Sequence, residues 1–204
     1  MAEASQIFYQ AQEFFRAQGL VYLRRSRVAA PEVLAYDWAD SPYAHSNRDE
    51  FDSLTSRYGD ALRAGETAPL CLADAGAGIG WGVFASAPLL EGALVGEYSG
   101  VIQSLTDAPA DAQVGGHFLS DYSWNYPDEL PDGSAFEVNA FYEGNHLRYV
   151  NHSSKPNCAV DHTLVDGLFV TFFRVTEPIP VGGQLFVDYG DEYWSGGFRQ
   201  VVDL

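Results

Sequence analysis

Short apolar runs separated by turn-forming residues dominate the chain from Pro69 onward. Glycine, proline and aspartate punctuate these runs at a spacing typical of small β-rich domains. The runs predict the following strands: Leu70–Leu72, Gly82–Ala85, Leu94–Gln103, Leu168–Arg174 and Gln184–Tyr189. This part of the chain is therefore expected to be mainly β, with short strands and tight turns.

The residues before this region have a helical pattern instead. Apolar residues recur at spacings of three and four within Ser5–Ala17, which predicts an amphipathic helix with Ser5 as its cap. Asp49–Leu62 has a similar apolar face and predicts a second helix. The change of pattern divides the chain into a partly helical N-terminal extension, residues 1–66, and a second domain, residues 67–204.

The net charge of −17 is unevenly distributed. Residues 1–66 carry seven arginines and ten acidic residues, whereas residues 67–204 carry four basic and eighteen acidic residues. Direct nucleic-acid binding is disfavoured, because a nucleic-acid groove needs a basic stripe. The acidic second part would attract a cationic partner such as a lysine-rich or arginine-rich peptide, unless the acids serve only solubility.

The two cysteines, Cys71 and Cys158, have neither disulfide-framework nor metal-binding spacing, which predicts a reducing compartment. The first residues lack the charged-then-apolar layout of a signal peptide. No apolar run approaches the roughly 20 residues that a membrane-spanning helix needs. We expect a soluble cytoplasmic or nuclear protein with no membrane contact, and secretion to act in another cell stays an open alternative.

An asparagine–histidine pair precedes a proline–asparagine turn in Arg148–Asn157. Pro156 lacks a backbone donor and pushes Lys155 out of helical conformation, so regular structure must end just after His152. A rigid scaffold can direct such a bend at a ligand, although a buried structural histidine is the alternative. A metal site is disfavoured, because no histidine begins a His-x-Asp or HExxH pattern. A nucleophilic pair of Cys158 and His152 has no oxyanion loop to accompany it.

Three further motifs are weak when each is taken alone. Glycines alternate with other residues in Gly76–Ala85, but the spacing fails a dinucleotide-binding fingerprint, since Trp81 stands where glycine or alanine is needed. A glycine-rich hairpin is the alternative there, although a tryptophan among glycines could lie against a flat ligand. Glu97–Gly100 and Asp188–Gly190 each place a tyrosine in or at the end of a strand, where packing alone would also explain it.

In this order and spacing, the motifs resemble the SET domain of protein-lysine methyltransferases. The family reads GxGWGVFA, EYxG, a tyrosine-x-aromatic strand, DAxxxGNxxRFxNHSCxPN and GExLxxDYG. The corresponding segments here are Gly78–Ala85, Glu97–Gly100, Tyr122–Trp124, Asn139–Asn157 and Gly182–Gly190. The resemblance spans about Pro69 to Trp194, and RYVNHSSKPN combined with DYG is its most specific part.

The resemblance implies a β-clip-like fold of several small sheets with a C-terminal pseudoknot, which brings the last strand beside the Asn-His loop. It also implies S-adenosyl-L-methionine as the cofactor, a lysine entering through a channel from the opposite face, and no metal. By position, the implied cofactor-binding residues are Gly80, Trp81, Tyr122, Arg148, Asn151 and His152. Tyr189 matches the family's catalytic tyrosine, and Tyr98 is expected beside the lysine channel.

The sequence departs from the family pattern at several positions. Ser154 stands where cysteine is usual, and no cysteine cluster follows Tyr189, so the post-SET zinc site of many members is not expected. The pre-SET cysteines are missing as well. Asn139 replaces the usual aspartate, and Gly183 replaces the usual glutamate.

Substitutions around the implied channel lead to two further expectations. Tyr193, Trp194 and Phe198 are the candidates that close the channel in place of a zinc-bound segment. Val160 and Val187 stand where members often carry phenylalanine or tyrosine, and these smaller side chains favour di- or trimethylation over strict monomethylation.

The sequence as a whole predicts an S-adenosylmethionine-dependent protein-lysine N-methyltransferase that acts on a basic protein segment such as a histone tail. The alternative is a SET-like module that binds proteins but has lost turnover. The joint presence of Tyr98, Asn151, His152 and Tyr189 argues against it, since a scaffold needs none of them. An unrelated β-rich structural protein would make the joint spacing accidental. Nothing in the sequence indicates the oligomeric state.

Overall fold

The computed structural model describes residues 7–8, 10–76, 78–106, 112–195 and 203–204. The helices within these residues are α1 (Ala11–Ala17), α2 (Pro31–Ala35), α3 (Pro42–Ser46), α4 (Arg48–Arg63) and α5 (Asp191–Ser195). The strands are β1 (Ile7–Phe8), β2 (Val21–Tyr22), β3 (Arg27–Val28), β4 (Leu70–Asp74), β5 (Trp81–Ala85), β6 (Leu94–Glu97), β7 (Val101–Ser104), β8 (Gln113–Val114), β9 (His117–Phe118), β10 (Ser123–Asn125), β11 (Phe136–Asn139), β12 (Glu143–Gly144), β13 (Asn151–His152), β14 (Cys158–Val165), β15 (Leu168–Val175) and β16 (Phe186–Val187). None of the helices in these ranges is long and apolar enough to cross a bilayer.

The strands form several small sheets, as the sequence predicts. The largest has the order β10-β11-β7-β3, and two three-stranded sheets have the orders β1-β4-β5 and β14-β15-β6. The remaining pairs are β12-β2, β13-β16 and β8-β9. The fold is therefore mainly β, with helices concentrated before residue 66.

The longest pairing is a hairpin whose first strand the sequence analysis missed. β14 and β15 pair over their whole length, from Cys158 opposite Val175 to Val165 opposite Leu168. The turn between them is Asp166-Gly167, and both residues have positive φ angles, 54° and 80°. An Asp-Gly pair between alternating segments is a strong hairpin signal, so this strand was predictable from the sequence.

The single strand predicted over Leu94–Gln103 is wrong. β6 pairs with β15 and β7 pairs with β11, so the chain leaves one sheet and enters another between them. The corner requires Gly100, because a Cβ there would lie 2.6 Å from the carbonyl oxygen of Asn139. The break leaves Tyr98 in a corner between two sheets instead of within a strand.

The N-terminal helix is shorter than predicted. It begins at Ala11, and the preceding Ile7 and Phe8 pair with Ala73 and Leu72 in an antiparallel sheet. Apolar spacing alone could not reveal this pairing, since its partner lies more than 60 residues away. The second predicted helix is confirmed as α4, whereas Ser5 lies outside the described residues.

Residues of the extension share a core with the rest of the chain. Trp38 is fully buried, and its ring lies 5.0 Å from that of Tyr126 and 5.7 Å from that of Phe169. β2 and β3 of the extension also pair in parallel with β12 and β7. The boundary near residue 66 stays a prediction from the sequence pattern.

Candidate active site

The Asn-His bend and the last strand lie side by side, as the resemblance implies. β13 pairs in parallel with β16, with Asn151 opposite Phe186 and His152 opposite Val187. The side chain of Asn157 fastens the pair, since its amide donates to the carbonyl of Gln184 and its Oδ1 accepts from the N–H of Phe186, both at 2.9 Å. The last strand is shorter than the predicted Gln184–Tyr189, because its partner β13 ends where the chain bends toward the proline.

Tyr189 follows this strand, and both its hydroxyl and its backbone N–H make hydrogen bonds. Its hydroxyl donates to the carbonyl oxygen of Val150 at 2.7 Å, and its N–H donates to Nδ1 of His152 at 3.2 Å. Desolvation raises the pKa of Tyr189 well above its ordinary value, so the phenol stays protonated at neutral pH. Because the O–H is directed at Val150, the lone pairs of the phenol oxygen stay open to another donor.

Tyr98 lies in the corner between β6 and β7 and is only 3% exposed. Its ring packs against Phe173 at 5.8 Å and Trp124 at 6.2 Å. Trp124 also lies 6.3 Å from Tyr189, so one indole contacts both tyrosines. Burial raises the pKa of Tyr98 well above its ordinary value, and its hydroxyl has no hydrogen-bond partner among the described residues.

The N-terminal extension holds the corner that carries Tyr98. The N–H of Ser26 donates to the buried carboxylate of Glu97 at 2.6 Å, and the hydroxyl of Ser99 donates to the carbonyl of Leu23 at 2.7 Å. These bonds join residues more than 70 positions apart on either side of Tyr98. The extension therefore fixes the backbone on which this tyrosine stands.

One cavity of about 660 Å³ connects the two tyrosines. Val187 and Trp124 form part of its wall, beside Tyr98 and Tyr189. The charged side chains that line it are Asp121, Glu137, Asp191 and Arg148. The wall therefore combines apolar and aromatic surface with an excess of carboxylates.

Three of the sequence-predicted cofactor residues meet at one place. The side-chain amide of Asn151 donates to the carbonyl of Trp81 at 3.2 Å, which joins the Asn-His bend to the glycine turn. Gly80 has a φ of +87°, a conformation that side chains with a Cβ rarely adopt. The ring of Trp81 packs edge-on against Phe14 at 4.7 Å, so the tryptophan is part of the core and its backbone faces Asn151.

Arg148 and Tyr122 form a second part of the site. The guanidinium lies 3.7 Å above the ring of Tyr122 and 4.9 Å from that of Tyr149, and it donates to the carbonyl of Phe141 at 2.7 Å. Its Nε is buried and has no hydrogen-bond partner among the described residues. A buried N–H of a cation without an acceptor is costly, so this position fits an anionic group of a ligand, such as a carboxylate.

The aromatic residues after Tyr189 pack against His152 and against Tyr189 itself. Trp194 packs against His152 at 5.1 Å, and Tyr193 packs against Tyr189 at 4.7 Å. Tyr193 lines the cavity, whereas Trp194 and Val160 are not among its described lining residues. Phe198, the third candidate for channel closure, lies outside the described residues.

Asp203 makes a contact that sequence reasoning missed. Its two carboxylate oxygens accept from the N–H and the hydroxyl of Ser154, both at 2.7 Å. These bonds hold the pKa of Asp203 below its usual range. Ser154 is the residue that stands where the motif usually has cysteine, and in this chain a carboxylate binds that position.

This contact leads to a testable prediction. Replacing Asp203 by alanine is expected to raise the hydrogen-exchange rate of the Ser154 amide severalfold, because the amide loses its acceptor. Mass spectrometry of the peptide that contains Ser154 measures the change. Asp132→Ala is the control, since Asp132 makes a similar surface bond to the N–H of Ser134 at 3.0 Å. Unchanged exchange at Ser154 in Asp203→Ala would contradict the contact.

Comparison with known families then identifies the fold. The SET domain profile matches residues 80–190, more than half of the chain, and this range includes the Asn-His bend and the Asp-Tyr-Gly strand. The chain belongs to the SET-domain family. Among curated relatives of this SET-domain protein, the histone-lysine N-methyltransferase MEDEA of Arabidopsis thaliana is 30% identical over 122 residues. This match covers 58% of the chain and 17% of MEDEA.

Solved structures agree with this assignment. Polycomb Repressive Complex 2 from Chaetomium thermophilum, in an autoinhibited conformation bound to S-adenosylmethionine, matches with a TM-score of 0.53 and 26% identity. That match covers 64% of this chain and 16% of the other. ATXR5, solved in complex with a mono-methylated histone H3.1, matches with a TM-score of 0.61 over 95% of this chain and 88% of the other. At 13% identity, that similarity concerns the fold alone.

Proposed function

We propose that this SET-domain protein is an S-adenosylmethionine-dependent protein-lysine N-methyltransferase. The observation that carries the proposal is the convergence of Tyr98 and Tyr189 on one cavity, with Trp124 in contact with both rings. Both phenols are protonated at neutral pH and neither O–H points at a charged partner in the described structure. Two such oxygens beside aromatic rings in the wall of one cavity suit the orientation of a lysine amine.

The residues around Asn151 and Arg148 fit the cofactor. S-adenosylmethionine supplies an electrophilic methyl group when it is bound. The Nε of Arg148 offers an unsatisfied donor for its carboxylate, and Gly80 and Trp81 offer backbone beside Asn151. Tyr122 and His152 would complete the set, Tyr122 through the face it shares with Arg148 and His152 through its ring beneath Trp194.

The chemistry asked of the chain's own residues is positioning and desolvation. Burial in the cavity disfavours the ammonium form of a lysine, which favours the neutral amine that attacks the methyl carbon. The phenol oxygen of Tyr189 can accept an N–H of the amine, since its own proton is donated to Val150. Fixing the amine in line with the methyl group is worth roughly 7–11 kcal/mol in well-oriented systems.

The charge distribution supports a basic substrate. Among the described residues, Asp121, Glu137 and Asp191 line the cavity with only Arg148 as a positive charge, since burial lowers the pKa of the lining His162 to about 4 and keeps it neutral. An acidic wall raises the local concentration of cationic segments and disfavours nucleic acid. A lysine in a basic protein segment, such as a histone tail, is the substrate class that we propose.

Calorimetric titration of S-adenosylmethionine into the wild-type protein tests the cofactor assignment. We expect saturable binding at one site, with S-adenosylhomocysteine competing for it. A folded protein that binds neither compound, alone or in the presence of a basic lysine peptide, would contradict the proposal. That outcome would favour the alternative of a SET-like protein-binding module.

The number of methyl groups transferred is a second testable prediction. Val187 is fully buried in the cavity wall, and its small side chain leaves room for a methylated amine, so we expect di- or trimethylated product. Val187→Phe is expected to shift the product toward monomethyl-lysine in a mass spectrum of the substrate peptide. Val160→Phe is the comparison, since Val160 is not among the described lining residues. A wild-type protein that stops at one methyl group would contradict the expectation.

A further inference from the structure

Glu137 is a buried carboxylate that the chemistry above does not use. It lies on β11 and is 5% exposed, although it lines the cavity. Its Oε1 accepts from the side-chain amides of Gln103 at 2.8 Å and Asn139 at 3.0 Å. These neutral donors fix the position of the carboxylate, while Oε2 has no hydrogen-bond partner among the described residues.

No cation in the described part of the chain compensates this charge. Glu137 makes no ion pair there, and Arg148 is the basic residue among the described ones that lines the same cavity. The guanidinium of Arg148 is instead committed to the ring of Tyr122 and the carbonyl of Phe141. His162, also in the wall, is neutral at pH 7. A buried carboxylate is costly unless it is paired, so Glu137 is suited to a cation that arrives with a ligand.

The register of the sheet places Glu137 away from the two tyrosines. Trp124 and Val138 are partners across β10 and β11 and share one face, and Trp124 contacts Tyr98 and Tyr189. Glu137 directly precedes Val138 in β11. Because side chains alternate along a strand, the carboxylate of Glu137 lies on the opposite face of the sheet. An amine held between the tyrosines is therefore separated from Glu137 by the thickness of the sheet.

β10 is an edge strand of its sheet in the described structure. It borders the cavity through Ser123, Trp124 and Asn125, and both faces of the strand contribute to the lining. An extended peptide that runs along such an edge directs consecutive side chains to opposite faces. If one residue points toward the tyrosines, its sequence neighbour points toward Glu137.

We propose that Glu137 binds the cationic side chain, arginine or lysine, of a residue directly adjacent to the target lysine. The proposal rests on the proposed function and adds a sequence preference to it. Oε2 is the contact atom, and Gln103 and Asn139 hold the carboxylate in place. The preferred substrate is then a pair of consecutive basic residues, of which one is methylated and the other is bound.

The test compares a set of peptides across the wild type and two variants. Lysine peptides with an arginine on one side, on the other side, or on neither side of the target are assayed for methylation and for direct binding by fluorescence anisotropy. For the wild type, we expect kcat/KM and affinity to fall about 10- to 100-fold when the neighbouring arginine is replaced by its neutral isostere citrulline. Glu137→Gln should lose most of this discrimination, because its amide no longer attracts the cation.

The control variant is Glu129→Gln, which removes the same charge from an exposed position that does not line the cavity. It is expected to discriminate between the peptides as the wild type does. A wild type that treats arginine and citrulline peptides alike in binding and in turnover would overturn the inference and leave the proposed function standing. Discrimination that persists in Glu137→Gln would overturn it as well. Absence of turnover with every peptide would count against the proposed function, while the binding data would still decide the role of Glu137.

Discussion

Replacing Tyr189 by phenylalanine is expected to lower kcat by about 100-fold or more, because misdirected reacting groups carry losses of that size. The substitution removes only the hydroxyl, so the ring keeps its contacts with Tyr193, Trp194 and Trp124. What is lost is the oxygen that accepts from the amine and its bond to Val150. Binding of S-adenosylmethionine should change little. Steady-state and single-turnover methylation assays measure the loss.

Tyr58→Phe is the matched control for this variant. Its hydroxyl donates to the carbonyl of Gly92 at 2.7 Å, the same kind and length of bond that Tyr189 makes with Val150. Tyr58 lies on α4 in a separate apolar cluster with Val170 and Phe172, and it does not line the cavity. We expect the two variants to lose similar stability, while only Tyr189→Phe loses activity. Equal activities in the two variants would show that the hydroxyl of Tyr189 takes no part in the reaction.

Replacing Asn151 by alanine is expected to weaken S-adenosylmethionine binding by about 10- to 100-fold, because the bend and the glycine turn proposed to hold the cofactor lose the hydrogen bond between them. The amide of Asn151 ties the Asn-His bend to the carbonyl of Trp81, and its loss also loosens the glycine turn. Calorimetric titration gives the dissociation constants of both proteins. The melting temperature of the variant shows whether it is folded.

Asn47→Ala controls for the loss of an asparagine amide. Asn47 donates to the carbonyl of Tyr43 at 2.9 Å between α3 and α4, away from the glycine turn. It should lose a comparable amount of stability, on the order of 1 kcal/mol, and bind the cofactor as the wild type does. Equal affinities in the wild type and Asn151→Ala would show that the cofactor does not bind at this bend.

Local chemistry in the sequence accounts for much of the fold. Gly100 and Pro156 mark the two bends that deliver Tyr98 and His152, because Gly100 leaves room for the backbone of Asn139 and Pro156 restricts the backbone around it. The hairpin turn at Asp166-Gly167 carries an equally local signal, although the strand before it was not predicted. The strand at Ile7–Phe8 was different, since only its pairing with β4 takes those residues out of the helical pattern.

The candidate site likewise contains contacts that local motifs predict and contacts that they do not. The motifs anticipated that the Asn-His bend and the Asp-Tyr-Gly strand belong together, and β13 and β16 pair accordingly. Glu137 accepts from Gln103, 34 residues away, as well as from Asn139, and Asp203 accepts from Ser154, 49 residues away; neither Glu137 nor Asp203 belongs to a motif. Such contacts follow from tertiary packing, which no local pattern encodes.

The measurement that tests the central claim most directly is methyl transfer itself. The wild-type protein and Tyr189→Phe are incubated with deuterium-labelled S-adenosylmethionine and a panel of histone tails and other lysine-rich peptides, and the products are read by mass spectrometry. We predict labelled methyl groups on lysine with the wild type and about 100-fold less with the variant. A wild-type protein that binds the cofactor yet labels no lysine in the panel would contradict the account and leave a SET-fold binding module in its place.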